Sequence, residues 1–369
     1  MSLTLLSSPA KLLGVGLLAL AACSGCGNTP TPPVADKPAA EREEPPEPER
    51  PALTSSALRS QLKARDIARF QKVGNEFVEA YLAESGVTDL TPLKDHPIKI
   101  LDLTKTPVSD LSPIAGLPIE NIGLSETKVT DLGPLSKMPL TSLSMKGIAV
   151  DSLAPLKALK LTALDASETQ VADLSPLTGM PLGALYLEST KVTDLSPLKQ
   201  APLQQLYLNK TGVTDLSPLA GKQLTELNLC DTPVADVAPL ASCRLGILWL
   251  RNTKVVDLSP LASTQLTSLD VRGAPVSDLS SIAKIPGLQR LNIAGTQVGD
   301  LRPLAGLQLT RLVFTPASIK EGLDVIRGMS SLTQLDVQFE EGVEARTPEQ
   351  FWSDFEAGKF KATDAPTAP

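Results

Sequence analysis

The chain has 369 residues, a formal net charge of −7, one histidine, four cysteines and only 3% aromatic residues. Without a basic cluster, nucleic acid is not an expected partner and anionic lipid is disfavoured. One histidine and four scattered cysteines give neither metal-ligand spacing nor a disulfide framework, so neither metal nor any other cofactor is expected.

Residues 1–22 stand apart from the rest. Lys11 supplies the charge, residues 12–22 form an apolar run, and Leu20-Ala21-Ala22-Cys23 closes it. The run is too short to span a bilayer as a mature helix. Its last four residues resemble a bacterial lipobox. That resemblance implies a signal peptide over 1–22, cleavage before Cys23, and lipidation of Cys23 through its thiol and amine, with palmitate among the acyl chains. Several chains on one residue anchor a protein stably. The expected location is the bacterial cell envelope, at the outer membrane or the periplasmic face of the inner membrane, with the membrane touched only through the lipid. Ser24, in place of aspartate, is compatible with outer-membrane sorting. Removal of the signal takes Lys11 with it and leaves a charge of −8.

Cys23 opens a tether over 23–54, whose residues 24–54 hold eight of the 32 prolines and an excess of glutamate. Such a segment has too little apolar surface to fold. It would span about 30 Å as a coil and about 95 Å as polyproline II. Residues 55–76 place Leu58, Leu62, Ile67, Phe70 and Val73 among charges, a spacing that predicts an N-terminal capping helix.

From 77 to 337 the sequence repeats. The string Val-x-Asp-Leu-x-Pro-Leu at residues 87–93 returns ten more times, almost always at intervals of 21. The aspartate slot is filled at Asp89, Asp110, Asp131, Asp173, Asp194, Asp215, Asp236, Asp257, Asp278 and Asp300, with Ser152 as the exception. A period of this length means a solenoid, in which each unit buries its apolar edge against its neighbours. Residues 203–218 show one unit. Counting from Leu203 as slot one, apolar residues fill slots one, four, six, eleven, fourteen and seventeen. The opening Leu-x-x-Leu-x-Leu is a strand whose leucines point inward. These units resemble the leucine-rich repeats of bacterial surface proteins, closest to the internalin type with its Asp-Ile-Ser-Pro-Leu segment. The fold implied is an α/β solenoid with a concave parallel β-sheet, short convex helical turns and helical caps at both ends.

One slot departs from that type. Where asparagine is usual, this chain carries threonine, as at Thr106, Thr190, Thr211 and Thr253. Their hydroxyls are expected to bond backbone groups of adjacent coils. In Asp-Leu-Ser-Pro-Leu, serine suits a helix N-cap, proline suits the first helical position, and the aspartate can cap the same turn. Calcium binding by the aspartate column is disfavoured, because one carboxylate per coil falls short of the six or more oxygens calcium takes.

At the far end Ser318 and Glu321 form a capping-box pattern, which predicts a helix near 319–328. A last strand is expected at 332–337. A C-terminal cap over 338–357 has a helix starting at Thr347-Pro348, with Phe351, Trp352 and Phe355 shielding the open core. Residues 358–369 are expected as a disordered tail. Counting slot one from Phe77 to Leu332 gives thirteen strands and a sheet of roughly 58 Å. Cys230 and Cys243, at opposite ends of a coil, are expected as free thiols, and His96 as a solvated turn residue.

No phosphate loop or nucleophile motif is present, and Glu340-Glu341 reads as a solvated pair, so no enzyme is expected. Binding is better placed. Slot five is the outward residue at the middle of each strand, and it holds four of the five Tyr and Trp residues. Tyr186, Tyr207 and Trp249 fall within four adjacent strands, with Arg251 and Arg272 in slot seven beside them. Tyr, Trp and Arg dominate interface hot spots. The five together predict a protein-binding patch on a monomer, for an envelope or extracellular protein. Two other readings stand: a structural envelope protein with the aromatics stabilising the sheet, or glycan binding through the aromatic faces.

Overall fold

The computed structural model describes residues 53–338 and 344–360. The signal, Cys23, Cys26, most of the tether and Glu340-Glu341 lie outside them. Within the described residues fourteen strands form one sheet in strict chain order. They are β1 (Arg69–Val73), β2 (Glu76–Tyr81), β3 (Ile100–Asp102), β4 (Asn121–Gly123), β5 (Ser142–Ser144), β6 (Ala163–Asp165) and β7 (Ala184–Tyr186). The series continues with β8 (Gln205–Tyr207), β9 (Glu226–Asn228), β10 (Ile247–Trp249), β11 (Ser268–Asp270), β12 (Arg290–Asn292), β13 (Arg311–Val313) and β14 (Gln334–Asp336). From β2 onward every pairing is parallel, and slot five faces slot five throughout, as in Tyr186↔Tyr207.

The repeat explains the core. In one coil Leu203, Leu206, Leu208, Val213, Leu216 and Leu219 are all buried, and each column continues into the coils on either side. Full burial of one leucine is worth about 1.5–3 kcal/mol over exposure. A further buried column leaves no mark in the spacing, because its chemistry is mixed. Met180, Ala201, Lys222, Cys243 and Thr264 occupy slot twenty. Lys222 is tolerated there because its Nζ donates to the carbonyls of Lys199 at 3.0 Å and Ala201 at 2.6 Å. Cys230 and Cys243 are buried free thiols.

Each coil turns twice. Slot eight is left-handed whether or not it is glycine: Ser189, Lys210, Asp231 and Asn252 have φ of 54–57°, and Gly273 has 71°. That reversal lets the slot-nine threonine fold back on its own coil. Thr190 Oγ1 donates to Leu187 O at 2.7 Å, and Thr211 and Thr253 do the same at 2.6 and 2.7 Å. The threonine column therefore ties coils internally and not to their neighbours. Neighbours are joined by a different column, slot two, where Thr162 Oγ1 reaches Thr141 O at 3.1 Å and Thr225 Oγ1 reaches Gln204 O at 3.1 Å.

The second turn is a short 3-10 helix, Ser217–Leu219 in the coil above. Its cap is the aspartate, not the serine. Asp215 Oδ1 accepts from Ser217 N at 2.8 Å, while Ser217 Oγ donates to Asp215 Oδ2 at 2.8 Å. Proline then fits the second helical position, where no amide donor is needed. At the exceptional coil Ser152 Oγ takes over the acceptor role for Ala154 N at 3.3 Å. The carboxylates are thus occupied locally.

Both ends differ from expectation in part. The N-terminal helix α1 covers only Ser55–Gln61, capped by Thr54 Oγ1 accepting from Ala57 N at 3.1 Å. Residues beyond it form β1, which pairs antiparallel with β2. Gly74-Asn75 makes a two-residue hairpin turn, with Gly74 at φ 62°, and this overrides the helical spacing of Phe70 and Val73. His96 is half-buried and lies edge-on to Phe77 at 5.2 Å, with burial lowering its pKa, so it is not a solvated turn residue.

At the other end α2 runs only Leu323–Arg327 and follows Gly322 at φ 85°. The Ser318/Glu321 box does not form. Ser318 Oγ donates to Thr315 O at 2.8 Å, and Glu321 pairs with Arg302 at 2.6 Å. The final helix α3 (Pro348–Glu356) does carry a capping box between Thr347 and Gln350. It buries Phe351 against Phe314, with ring centroids 5.4 Å apart. Phe360, placed by sequence in a disordered tail, lies on Phe351 at 4.9 Å and extends the cap.

Candidate functional site on the concave sheet

Parallel pairing in constant register turns slot five into one row across the concave face. Along it Tyr186 and Tyr207 stand on adjacent strands with centroids 4.9 Å apart and planes tilted by 33°. Tyr207 then meets Trp249 at 5.9 Å and 43°, although β9 lies between their strands. The intervening residue, Asn228, turns its Oδ1 to accept from Cys230 N at 3.0 Å, which leaves the space above it to the two rings. Three aromatic side chains thus form a continuous, half-buried surface.

Both hydroxyls are held by slot three of the next strand. Tyr186 Oη donates to Gln205 Oε1 at 3.0 Å, and Tyr207 Oη donates to Glu226 Oε2 at 2.6 Å. Burial, followed by the charge of Glu226, pushes the Tyr186 phenol up to about 12. Burial and the bond to Glu226 raise Tyr207 as well. Both phenols stay neutral donors near neutral pH, with the rings fixed in place.

Slot seven forms the rim. Arg251 Nη2 lies 3.2 Å from Asp231 Oδ2, and Asn252 Nδ2 donates to Asp231 Oδ1 at 2.7 Å. Arg272 follows one coil later; its backbone N–H donates to Asp270 Oδ1 at 2.9 Å. Three buried polar atoms of slot seven, Ser167 Oγ, Asn209 Oδ1 and Arg251 Nε, have no hydrogen-bond partner among the described residues, and neither does Arg59 Nε at the N-terminal end. Buried polar atoms in folded proteins are nearly always paired, so three in one column set slot seven apart. On the other flank burial raises the carboxyl groups of Asp165 and Glu188 above the ordinary range.

The structure therefore gathers Tyr186, Tyr207 and Trp249 into one cluster, with Arg251 beside it and Arg272 continuing the rim. Sequence reasoning missed Asp231, the partner that orients Arg251, and the burial of Asp165. Both sit in slots whose residue types vary from coil to coil, so the repeat gives no signal for them. No group of three His, Cys, Asp or Glu side chains is assembled for a metal among the described residues.

A search of solved structures places this architecture. An internalin from Listeria monocytogenes is 26% identical, with a TM-score of 0.66 over 76% of this chain and 86% of that one. The chain folds as a leucine-rich repeat solenoid. A leucine-rich repeat protein from Leptospira interrogans shares the fold at 18% identity, TM-score 0.50, over 75% of this chain and 81% of the other. So does the ectodomain of an Arabidopsis thaliana receptor kinase, GASSHO1/SCHENGEN3, solved with Casparian strip integrity factor 2. It gives 16% identity and a TM-score of 0.56 over 79% of this chain and 42% of that one. No protein-family model matches, and no curated protein does either. Among the described residues no helix is long and apolar enough to cross a membrane.

Proposed function

We propose that this protein is a non-enzymatic recognition module of the bacterial cell envelope, lipid-anchored through Cys23, that holds a protein partner on its concave sheet. The observation that carries the reading is the aromatic cluster. Tyr207 touches both Tyr186 and Trp249 on the open face, with the two tyrosine hydroxyls already bonded and the rings held ready for an apolar partner group. Fixed aromatic side chains lose little conformational freedom on binding, which is why they recur as interface anchors. Arg251 and Arg272 add charged donors at the rim. Similarity to a Listeria internalin supports a role at a bacterial surface. The apolar run before Cys23 supports the anchor.

Affinity capture from envelope extract tests the reading, with residues 54–369 as bait and a Tyr186→Ala/Trp249→Ala variant beside it. Both baits are first matched by circular dichroism. A protein held by the wild type and lost by the variant is the expected result. Equal retention by both returns the aromatics to sheet packing, and an empty eluate favours a structural or glycan-binding role.

A further inference from the structure

The concave face is divided by charge, and the aromatic cluster marks the divide. In its outward slots three, five and seven, β2 to β9 and their flanks carry Glu79, Asp102, Asp165, Glu188 and Glu226 against Lys146 alone, a net of −4. The same slots from β10 to β14 carry Arg251, Arg272, Arg290 and Arg311 against Asp270 and Asp336, a net of +2, and Asp336 is itself paired with Arg346. Lys146 pairs with Glu168 at 3.2 Å and Arg251 with Asp231 at 3.2 Å, so one cation on each side is met locally. Arg290 and Arg311 are direct register partners on β12 and β13, so two like charges face the same side at neighbouring positions. Burial and then Arg290 lower the Arg311 pKa against the opposing charge of Asp336, as expected of cations held close in a partly desolvated place.

Sheet stability does not account for this order. Opposite charges facing each other across strands stabilise a sheet and like charges oppose it, so mixing the signs would serve the fold better. Segregation instead creates a field along the face, which orients a partner and sets its register. The geometry sets the scale. Glu188 follows β7 and Arg290 lies on β12, five strand steps apart, or about 24 Å at ~4.8 Å per step. An extended chain covers that distance in about seven residues at ~3.3 Å each.

We infer that the partner presents an extended segment with segregated charge: lysine or arginine over β6 to β9, an apolar side chain on Tyr207 and Trp249, and aspartate or glutamate about seven residues away over β12 and β13. The inference rests on the concave face being the recognition surface, and it specifies the chemistry recognised there.

Two fluorescein-labelled peptides of identical composition test it against the full chain by fluorescence anisotropy at low salt. One is Lys-Lys-Ala-Pro-Ala-Tyr-Ala-Pro-Glu-Glu; the other is Lys-Glu-Ala-Pro-Ala-Tyr-Ala-Pro-Lys-Glu. The segregated peptide is expected to bind at least about tenfold tighter, with the preference abolished in Arg290→Gln/Arg311→Gln protein of unchanged circular dichroism. Equal affinity for the two peptides, a preference that survives Arg290→Gln/Arg311→Gln, or no binding of either overturns the inference. Tyr186→Ala/Trp249→Ala separates the two levels. If the wild type binds both peptides equally and this variant binds neither, the charge order fails while the recognition surface stands. If the variant binds as well as the wild type, the recognition surface itself fails.

Discussion

Tyr207 and Trp249 touch across a strand that contributes no ring, their centroids 5.9 Å apart over Asn228. The contact joins β8 to β10, beyond the nearest-neighbour pairing that holds the rest of the sheet. An aromatic pair adds about 0.5–1.5 kcal/mol beyond the area it buries. Trp249→Ala is therefore expected to lower unfolding stability by about 2 kcal/mol, the ring pair plus the area lost from a half-buried side chain, leaving the far-ultraviolet circular dichroism unchanged. Urea titration measures it. A loss several times larger would make Trp249 a structural residue first.

Asp165 gives a prediction with a definite sign. Burial raises its pKa in the folded state, so the ionised carboxylate opposes folding. That penalty is absent below the unfolded pKa near 3.9, grows as pH rises through the folded pKa, and is complete above it. Asp165→Asn keeps an oxygen to accept from Ser167 N, a bond of 3.0 Å in the wild type. The variant should melt higher than the wild type at pH 7, and the gain should vanish by about pH 3. Melting curves across pH decide it; a gain independent of pH would contradict the burial argument. The turn aspartates act with the opposite sign. Asp110, Asp173 and Asp194 are lowered by hydrogen bonds from the serine that follows, so their stabilisation is present above the unfolded pKa and lost as pH falls through the folded one.

Gly322 cannot be replaced without strain. It sits at φ 85°, and a Cβ there would come within 2.5 Å of Arg302 N and 2.8 Å of Leu301 C. Backbone atoms cannot yield as a flexible side chain does. Gly322→Ala is expected to destabilise the array by about 3 kcal/mol, detected as a lower denaturant midpoint and faster amide exchange in the C-terminal coils. An unchanged midpoint would contradict the close approach.

Cys23→Ser should abolish the anchor. The expected outcome is loss of radiolabelled palmitate from the protein and its movement from the membrane fraction to the soluble one. Retention in the membrane fraction would place the anchor elsewhere.

Much of this architecture is written in the repeat. The leucine columns, the thirteen parallel strands and the row that brings Tyr186, Tyr207 and Trp249 together all follow from a constant interval, because side-chain direction is fixed by position in the coil. The interval says less where a position is read by conformation. Slot eight accepts Glu, Ser, Lys, Asp, Asn or Gly, so its left-handed backbone leaves no residue signature. That hidden reversal is why the slot-nine threonines bond within their own coils. The ends were legible only in part, since Gly74-Asn75 and Gly322 impose turns that outweigh helical spacing. Rim details such as Asp231 on Arg251 depend on single substitutions in one coil, which periodicity cannot reveal.

The affinity of the captured envelope protein for wild type and for Tyr186→Ala/Trp249→Ala, measured by isothermal titration calorimetry, tests the recognition surface most directly. Loss of two hot-spot anchors should weaken binding by at least about 2 kcal/mol, roughly 30-fold, with the fold intact. Dissociation constants within twofold of each other would contradict the account and move recognition away from the concave aromatic cluster.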